Sequence, residues 1–173
     1  MLEAQFNLHK ALKKKQVSAL LLLDFSKAFD LVDSKILLHK LEHYDVRGLS
    51  LSWFESYLTN RRQYVHVNGC TSEEMGLAHD DEVPQGSILG PILFIIYIND
   101  LANVSDIAHY IFFADDANII VSADTYTELN LRANRVLDTV QSQTWVKTNG
   151  LKLNVGKTKY MIFTNTLTDH QRI

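Results

Sequence analysis

Short apolar runs, each bounded by polar or turn-forming residues, recur along the chain and predict its strands. The run that ends at Asp24 has no polar face, which is typical of a central strand buried on both sides. Asn68-Gly69 follows a short alternating segment and is a strong turn signal, so it predicts a hairpin that reaches about Leu77. The predicted strands are residues 20–23, the hairpin over 63–77, and residues 110–114, 118–121 and 158–163.

Segments in which apolar residues recur every three or four positions predict the helices. Ser34 is the expected cap of the first, and Pro91 fits the first turn of the third, where its missing amide hydrogen costs little. Thr125 and Glu128 form a capping-box pattern ahead of the last helix, which is expected to end at Gly150. The predicted helices follow Ser34 to residue 44, then cover 50–58, the segment from the 83–87 loop to about 101, and 125–150.

The order of these elements indicates the fold class. A strand, helices, a hairpin, a helix, two strands, a helix and a last strand predict an α+β fold, with helices packed against a mixed sheet. Trp53, Phe54 and Tyr57 have helical spacing and are expected in the core. The chain has 173 residues, of which 46% are hydrophobic, so it is expected to form one domain over residues 1–173.

Charge and cysteine content narrow the classes of function. A net charge of −3 argues against a simple nucleic-acid-coating protein, so local basic clusters must carry any such contact. The single cysteine excludes an internal disulfide, and the histidines lack the paired spacing of a zinc site. The longest apolar run is shorter than the about 20 residues that cross a bilayer, and no signal-peptide pattern precedes it. An intracellular protein without a membrane partner is expected, and the sequence does not distinguish nucleus from cytoplasm.

Three carboxylates are the candidate chemical groups. Asp24 follows a buried strand, and Asp115 and Asp116 are expected in the hairpin turn where two apolar strands meet. Neighbouring strands lie about 4.8 Å apart, so side chains at their tips can converge on metal ions. Taken singly, each motif also fits a simple turn or a helix cap. From the residues alone the site is a possible metal site, with the hard oxygen ligands that Mg²⁺ prefers.

Four segments, in the expected order, resemble the sequence motifs of reverse transcriptases. Two intervening segments resemble LINE-type non-LTR retrotransposons, a class of transposable element, and particularly the jockey-like members. The four motif matches are LDFSKAFD at 23–30 with motif A, VPQGSILGP at 83–91 with motif B, FADD at 113–116 with motif C, and NGLKLN at 149–154 followed by KT with motif D. The intervening segments are residues 53–61 and 97–101, and the resemblance covers about 20–164.

The resemblance implies a fold and an activity. The implied fold is the reverse transcriptase palm: a mostly antiparallel sheet with packed helices and a ferredoxin-like core, with the fingers incomplete and the thumb absent. The implied activity is that of an RNA-directed DNA polymerase, a nucleotidyltransferase that uses two Mg²⁺ ions, with Mn²⁺ as a substitute, to join a deoxynucleotide to a primer 3′-hydroxyl. The implied partners are an RNA template, a DNA primer, a dNTP, and the fingers, thumb and endonuclease regions of a longer polyprotein.

The same resemblance implies roles for individual residues. Asp24 and Asp115 are the implied main metal ligands and catalytic residues, with Asp116 as a third carboxylate beside them. The Asp24 and Asp115 carboxylates are therefore expected within about 6 Å of each other. Phe29 matches the aromatic residue that excludes a ribose 2′-hydroxyl, although it also fits a core position. The other implied dNTP-binding residues are Phe25 through its backbone, Gln85 in the pocket lining, Gly86 through close backbone approach, and Lys157 as the acid that protonates pyrophosphate.

Departures from the family pattern leave rival functions open. Glu82 stands where glycine is common before motif B, and Ala117 stands where threonine is common after the paired aspartates. One rival is a catalytically inactive, truncated or domesticated remnant that acts, if at all, as a binding module. Another is a palm-type nucleotide cyclase, but the glycine-glycine-acidic turn usual in cyclases is absent. Primer extension distinguishes the polymerase from the remnant.

Overall fold

The computed structural model describes residues 2–76, 83, 86–114, 116–141 and 145–165. Its helices are α1 (Leu2–Lys13), α2 (Ser34–His43), α3 (Leu49–Leu58), α4 (Gly90–Ile98), α5 (Tyr126–Gln141) and α6 (Trp145–Thr148), with 3₁₀ turns η1 (Phe29–Leu31) and η2 (Asn99–Asn103). Its strands are β1 (Val17–Leu23), β2 (Arg62–Gln63), β3 (His66–Val67), β4 (Cys70–Thr71), β5 (Met75–Gly76), β6 (Ala108–Phe113), β7 (Asp116–Ala123) and β8 (Lys159–Phe163).

Among the described residues, the main sheet has four strands in the order β6-β7-β1-β8, and every neighbouring pair is antiparallel. Helices connect β1 to β6 and β7 to β8, whereas β6 and β7 form a hairpin. This strand order and connectivity are those of a ferredoxin-like core, so the α+β class and the antiparallel sheet implied by the family resemblance are confirmed. The mixed sheet predicted from the element order is wrong, because all three strand pairs are antiparallel. The arrangement places the ends of β1 and β7 side by side.

The two faces of this sheet pack against different helices. Leu8 of α1 packs against Leu20 and Ile120 on one face. On the other face, Leu21 and Ile119 belong to the main core, which includes buried side chains from α2, α4 and α5. Strand β1 therefore has apolar residues on both faces because both are covered. None of the helices in the described ranges is long and apolar enough to cross a membrane.

The predicted hairpin is present between α3 and the motif B segment. Strands β3 and β4 pair through Val67 and Cys70, and β2 pairs with β5. Asn68 and Gly69 join β3 to β4 with φ values of 50° and 80°. Two consecutive positive φ angles are the requirement of a type I′ turn, which explains why this dipeptide is an effective hairpin signal.

The cap of α2 is one residue earlier than the sequence analysis expected. Asp33 accepts hydrogen bonds from the backbone amides of Lys35 at 2.8 Å and Ile36 at 3.0 Å. Ser34 is instead the first residue of the helix and is buried. A carboxylate so placed satisfies two free amides and also interacts favourably with the helix N-terminus.

Three other expectations differ from the structure. Helix α1 was not predicted, because only Leu8 and Ala11 of its twelve residues are buried and the apolar pattern is correspondingly weak. The last predicted helix, 125–150, corresponds to α5 and to α6, which ends at Thr148, and residues 142–144 lie outside the described residues. Trp53 was expected in the core but is 53% exposed, with its ring stacked on Tyr57.

The hydroxyl of Tyr110, on β6, is buried without a hydrogen-bond partner among the residues that the structure describes. Removing an unsatisfied buried hydroxyl should stabilise the fold, so we expect Tyr110→Phe to raise the free energy of unfolding by about 1 kcal/mol in urea denaturation. The exposed Tyr64 provides a control, and Tyr64→Phe should change stability by less than about 0.5 kcal/mol. A destabilised Tyr110→Phe protein would contradict this account.

Tyr110 should also contribute to alkaline unfolding. Burial raises the pKa of Tyr110 above its ordinary value of 10.0, because the charged phenolate is poorly solvated there. The folded state therefore holds this proton more tightly than the unfolded chain does. The resulting stability is complete below pH 10.0 and is lost as pH rises through the higher folded pKa. We expect Tyr110→Phe to lose less stability than the unsubstituted protein over that interval.

Candidate active site

Asp24 and Asp116 lie at the same end of two paired strands. Asp24 directly follows β1, and Asp116 is the first residue of β7. The last register pair of these strands is Leu23 with Ala117. One further step in this register sets Asp24 opposite Asp116, and Cα atoms of directly opposed antiparallel residues are about 5 Å apart. The fold thus places the backbone positions of two of the three predicted carboxylates side by side.

The turn between β6 and β7 lies at the same end of the sheet as Asp24 and Asp116. Phe113 pairs with Asp116, so only Ala114 and Asp115 lie between the two strands. Both aspartates were predicted to lie in the hairpin turn, and this is wrong for Asp116, which belongs to β7. Ala114 has a φ of 52°, a left-handed conformation that is uncommon outside glycine and matches a tight hairpin. Asp115, and with it the predicted Asp24 to Asp115 separation, lies outside the described residues.

The loop that follows Asp24 is held by the segment that leads into β8. The Ser26 amide donates to the Lys152 carbonyl at 2.7 Å, and the Asn154 amide donates to the Asp24 carbonyl, also at 2.7 Å. Phe25 and Leu153 form the bridge between these two bonds. The backbone on both sides of Phe25 is therefore fixed by the motif D segment, which is distant in sequence.

A cavity of about 410 Å³ opens beside this loop. Four predicted site residues line it: Asp24, Phe25, Phe29 and Lys157. Its other lining residues are Ser26, Lys27, Ala28 and Asn154. Motifs A and D, which are more than 100 residues apart in the sequence, thus share one cavity. A volume of this size is in the range of small-molecule sites.

The two phenylalanines of motif A have different surroundings. Phe25 is only 6% exposed, and its ring lies 6.4 Å from that of Phe94 and 6.3 Å from that of Trp145. Its side chain is a core element, so any nucleotide contact at this position must come from the backbone. Phe29 is half-buried, packs on Phe94 at 5.2 Å between ring centroids, and also lines the cavity. Phe29 is thus packed against Phe94 on one side and borders the cavity on the other. This placement is compatible with the predicted exclusion of a ribose 2′-hydroxyl.

Only part of the motif B loop belongs to the described residues. Gln85 lies outside them, and so does Glu82. The Val83 amide donates to the Phe29 carbonyl at 3.3 Å, which ties the loop to η1. Gly86 has a φ of 77°, so a side chain at this position would strain the backbone. The proposed dNTP contacts of Gln85 and Gly86 stay predictions.

Four cavity residues were not assigned a role from sequence, and two of them, Lys27 and Asn154, bear on the chemistry of the cavity. Lys27 is exposed and has a φ of 48°, and no local pattern indicates that it lines a cavity with Lys157. Asn154 is the last residue of the NGLKLN match to motif D. Its carbonyl and its side-chain oxygen both accept from the Lys157 amide, at 3.1 and 3.3 Å. Asparagine side chains commonly bond to nearby backbone amides in turns, and Gly156 lies two residues further along, so a turn at Asn154 was within reach of sequence reasoning.

The charges of this region suit a cation and a polyphosphate. Asp24 is partly exposed and Asp116 is exposed, so both carboxylates are accessible, and carboxylate oxygens are the donors that Mg²⁺ prefers. Within the described ranges, no three His, Cys, Asp or Glu side chains are grouped closely enough to hold a metal ion, and Asp115 is outside these ranges. Lys27 and Lys157 add positive charge on the cavity side.

Comparison with known proteins identifies the family to which this chain belongs. This chain belongs to the reverse transcriptase (RNA-dependent DNA polymerase) family, whose family model matches residues 2–171. It is 30% identical over 170 residues to the RNA-directed DNA polymerase from mobile element jockey of Drosophila funebris, a match that covers 92% of this chain and 18% of that protein. The corresponding Drosophila melanogaster protein is 26% identical over 163 residues, covering 90% of this chain and 17% of its own length. The jockey-like non-LTR resemblance is confirmed, and the chain spans about a fifth of the length of these relatives.

Solved structures confirm the fold. Apo telomerase from Candida tropicalis, truncated from its C-terminal domain, matches with a TM-score of 0.65 at 15% identity, covering 96% of this chain and 35% of that one. Telomerase from the same organism in complex with a TWJ fragment of telomeric RNA matches with a TM-score of 0.66 at 14% identity, covering 92% and 29%. At these identities the likeness concerns the fold alone, and it supports a palm-like reverse transcriptase unit.

Proposed function

We propose that this chain is the catalytic palm of an RNA-directed DNA polymerase that joins a deoxynucleotide to a primer 3′-hydroxyl and releases pyrophosphate. The observation that carries the proposal is the placement of Asp24 and Asp116 at the adjoining ends of β1 and β7, next to the cavity with Phe29 and Lys157. The jockey polymerases that it resembles are named for the same activity.

Asp24 and Asp116 fit Mg²⁺ or Mn²⁺, and the family motif adds Asp115 as a further ligand. All three donors are carboxylates, the hard oxygen ligands that these ions favour. Two such carboxylates side by side repel each other, and a cation removes this repulsion. When bound, a pair of divalent ions supplies charge neutralisation at the reacting phosphate and activation of the attacking hydroxyl.

The other cavity residues bind and orient the nucleotide in this proposal. Lys27 and Lys157 lie where they can contact the triphosphate, and Lys157 can donate a proton to the departing pyrophosphate. Phe29, supported by Phe94, lies under the sugar and excludes a 2′-hydroxyl. The template supplies base selection through pairing, so the protein needs no base-specific contact in this cavity.

An RNA template and a DNA primer are the proposed macromolecular partners. The jockey relatives are RNA-directed DNA polymerases by name, and the solved telomerase that shares this fold is bound to a fragment of telomeric RNA. The net charge of −3 on this chain gives it little long-range attraction for nucleic acid. We therefore propose that other regions of a longer polypeptide hold most of the template and primer.

Primer extension by the complete polypeptide that contains this chain tests the proposal. A DNA primer annealed to RNA should be extended with dNTPs when Mg²⁺ or Mn²⁺ is present, and extension should stop when EDTA removes the ion. Absence of extension by a folded complete protein that binds primer and template would instead favour the catalytically inactive remnant acting as a binding module.

Lys157→Ala should slow nucleotide addition. Loss of a positioned general acid typically costs about 10²-fold in rate, and a cationic contact to the triphosphate is lost at the same time. Lys159→Ala is a matched control, because Lys159 is also exposed and lies two residues further along, on β8. Single-turnover incorporation by the complete protein measures both. Equal rates for the two variants would exclude a specific role for Lys157.

A further inference from the structure

Lys40, on α2, is a largely buried lysine that the proposed reaction does not use. Its side chain is only 14% exposed. The ammonium group donates to the Tyr97 carbonyl at 2.5 Å, to Asp100 Oδ1 at 2.8 Å and to Asn149 Oδ1 at 2.6 Å. An ammonium group has three hydrogens, so these three acceptors satisfy it completely.

The acceptors of Lys40 are themselves joined into a network. Trp145 Nε1 donates to Asp100 Oδ1 at 3.1 Å, and the Tyr97 hydroxyl donates to the Asn149 carbonyl at 2.6 Å. The Asn149 side-chain amide donates to the Trp145 carbonyl at 2.9 Å. We call Lys40, Tyr97, Asp100, Trp145 and Asn149 the Lys40 cluster. It connects α2, α4, η2 and α6 through polar bonds that are mostly removed from solvent.

The positive charge of Lys40 is supported by more than hydrogen bonds. Its Nζ lies 4.8 Å from the ring centroid of Tyr97 and 5.6 Å from that of Trp145, which are cation–π distances. Burial lowers the pKa of Lys40 below its ordinary value, and the hydrogen bond and charge of Asp100 partly oppose this effect. A buried ammonium group destabilises the fold unless its hydrogen-bond partners are in place. Lys40 therefore favours the arrangement in which those partners surround it.

The cluster is linked to the candidate active site by a short stretch of chain. Asn149 precedes Gly150, whose φ is 65°, and Leu151, which is buried in the main core. The next residues make the two 2.7 Å backbone bonds with the Asp24 loop. Trp145 of the cluster also packs against Phe25. The Lys40 cluster is thus linked to both segments of the bridge around Asp24. Trp145 packs on Phe25 of the Asp24 loop, and Asn149 begins the motif D segment.

We propose that Lys40 is a positioning residue: by holding Asn149 against α4 and η2, it fixes the motif D segment on the Asp24 loop and so sets the position of Lys157 in the cavity. This role rests on the proposed function for its catalytic consequence, but its structural part does not. Without the ammonium group, Asn149 Oδ1 loses its donor and the segment that begins there loses one of its attachments. The segment 149–154 should then open more often while the sheet stays paired.

Hydrogen exchange of this chain tests the structural part without any activity measurement. In Lys40→Met the amides of Ser26 and Asn154, which make the two bridging bonds, should exchange at least about tenfold faster, as expected for local opening. The amides of Leu21 and Ile119, in the centre of the sheet, should keep their rates. Lys35→Met is the matched control, because Lys35 is an exposed lysine on the same helix. It should leave all four amides unchanged.

A milder variant keeps the test informative if Lys40→Met unfolds. Asp100→Asn retains an oxygen for Lys40 and for Trp145 but removes the charge, so it should accelerate exchange at Ser26 and Asn154 to a smaller extent. Unchanged exchange at these two amides in a folded variant, or the same acceleration at Leu21 and Ile119, would overturn the proposal. The second outcome would make Lys40 a general core residue.

Kinetics of the complete polypeptide test the catalytic part. Lys40→Met should lower kcat for nucleotide addition by about tenfold, with less effect on the KM for dNTP, because misplaced groups act on the reacting geometry. Lys35→Met should retain the original kcat. An unaltered kcat in Lys40→Met, in an enzyme that extends primers, would contradict the positioning role. Should the complete protein not extend primers at all, the proposed function fails while the exchange result still decides the role of Lys40.

Discussion

Asp24→Asn is expected to reduce primer extension by the complete polypeptide by about 10³-fold or more, because a neutral amide neither binds a divalent ion tightly nor offsets its charge. Asp24 is chosen because it follows β1 directly and lies one register step beyond the Leu23–Ala117 pair, at the position opposite Asp116. Asparagine has nearly the same shape as aspartate, so the loss should appear in kcat rather than in folding. Single-nucleotide incorporation at saturating dNTP measures it.

The same substitution should leave the fold intact or make it slightly more stable in metal-free buffer. Asp24 and Asp116 are like charges at adjacent strand ends, and replacing one removes their repulsion. Asp138→Asn, at an exposed position on α5, is the matched control and should retain full activity. If Asp24→Asn retained more than about a tenth of the original rate, this aspartate would not have the proposed electrostatic role.

Phe29→Val is expected to reduce the discrimination between dNTPs and ribonucleotides by roughly 10- to 100-fold, the range for a small change in the shape of an apolar pocket. Phe29 lines the cavity and is supported from behind by Phe94 at 5.2 Å. A smaller side chain opens space for a 2′-hydroxyl without removing any metal ligand. The ratio of kcat/KM for a dNTP and the matching ribonucleotide measures the effect.

A control for Phe29→Val must separate selectivity from stability, because the loss of contact with Phe94 will also weaken the core. Phe6→Val, at an exposed position on α1, should leave the discrimination ratio unchanged. A destabilised Phe29→Val enzyme whose discrimination ratio equals that of the unsubstituted enzyme would show that Phe29 is only a core residue.

The strands were the most predictable part of this fold. Strand β1 is recognisable because a continuous apolar run is stable only when both of its faces are buried. The turn between β3 and β4 is recognisable because Asn and Gly readily adopt the positive φ angles that it requires. Helix α1 was missed because it buries little, and the α2 cap was misplaced by one residue because Asp33 and Ser34 are both good caps. Local sequence alone does not decide between two neighbouring residues that are both suitable N-caps.

The candidate site was predictable as a set of residues but not as an arrangement. The motifs identified Asp24, Phe29 and Lys157, and the cavity contains all three. Lys27 and the Lys40 cluster were not assigned, because their roles depend on contacts between distant segments. The three hydrogen bonds of Lys40 span 57, 60 and 109 residues of sequence, and no local pattern encodes such pairings.

The central claim is that folding brings acidic side chains together at the ends of β1 and β7 so that divalent ions bind there. Titration of this chain with Mn²⁺, followed by the paramagnetic broadening of backbone amide signals, tests it most directly. The account predicts early broadening at Asp24 and Asp116 and its loss in Asp24→Asn, while Asp138 on α5 is unaffected. Sharp signals at Asp24 and Asp116 throughout the titration, or equal broadening in Asp24→Asn, would contradict it.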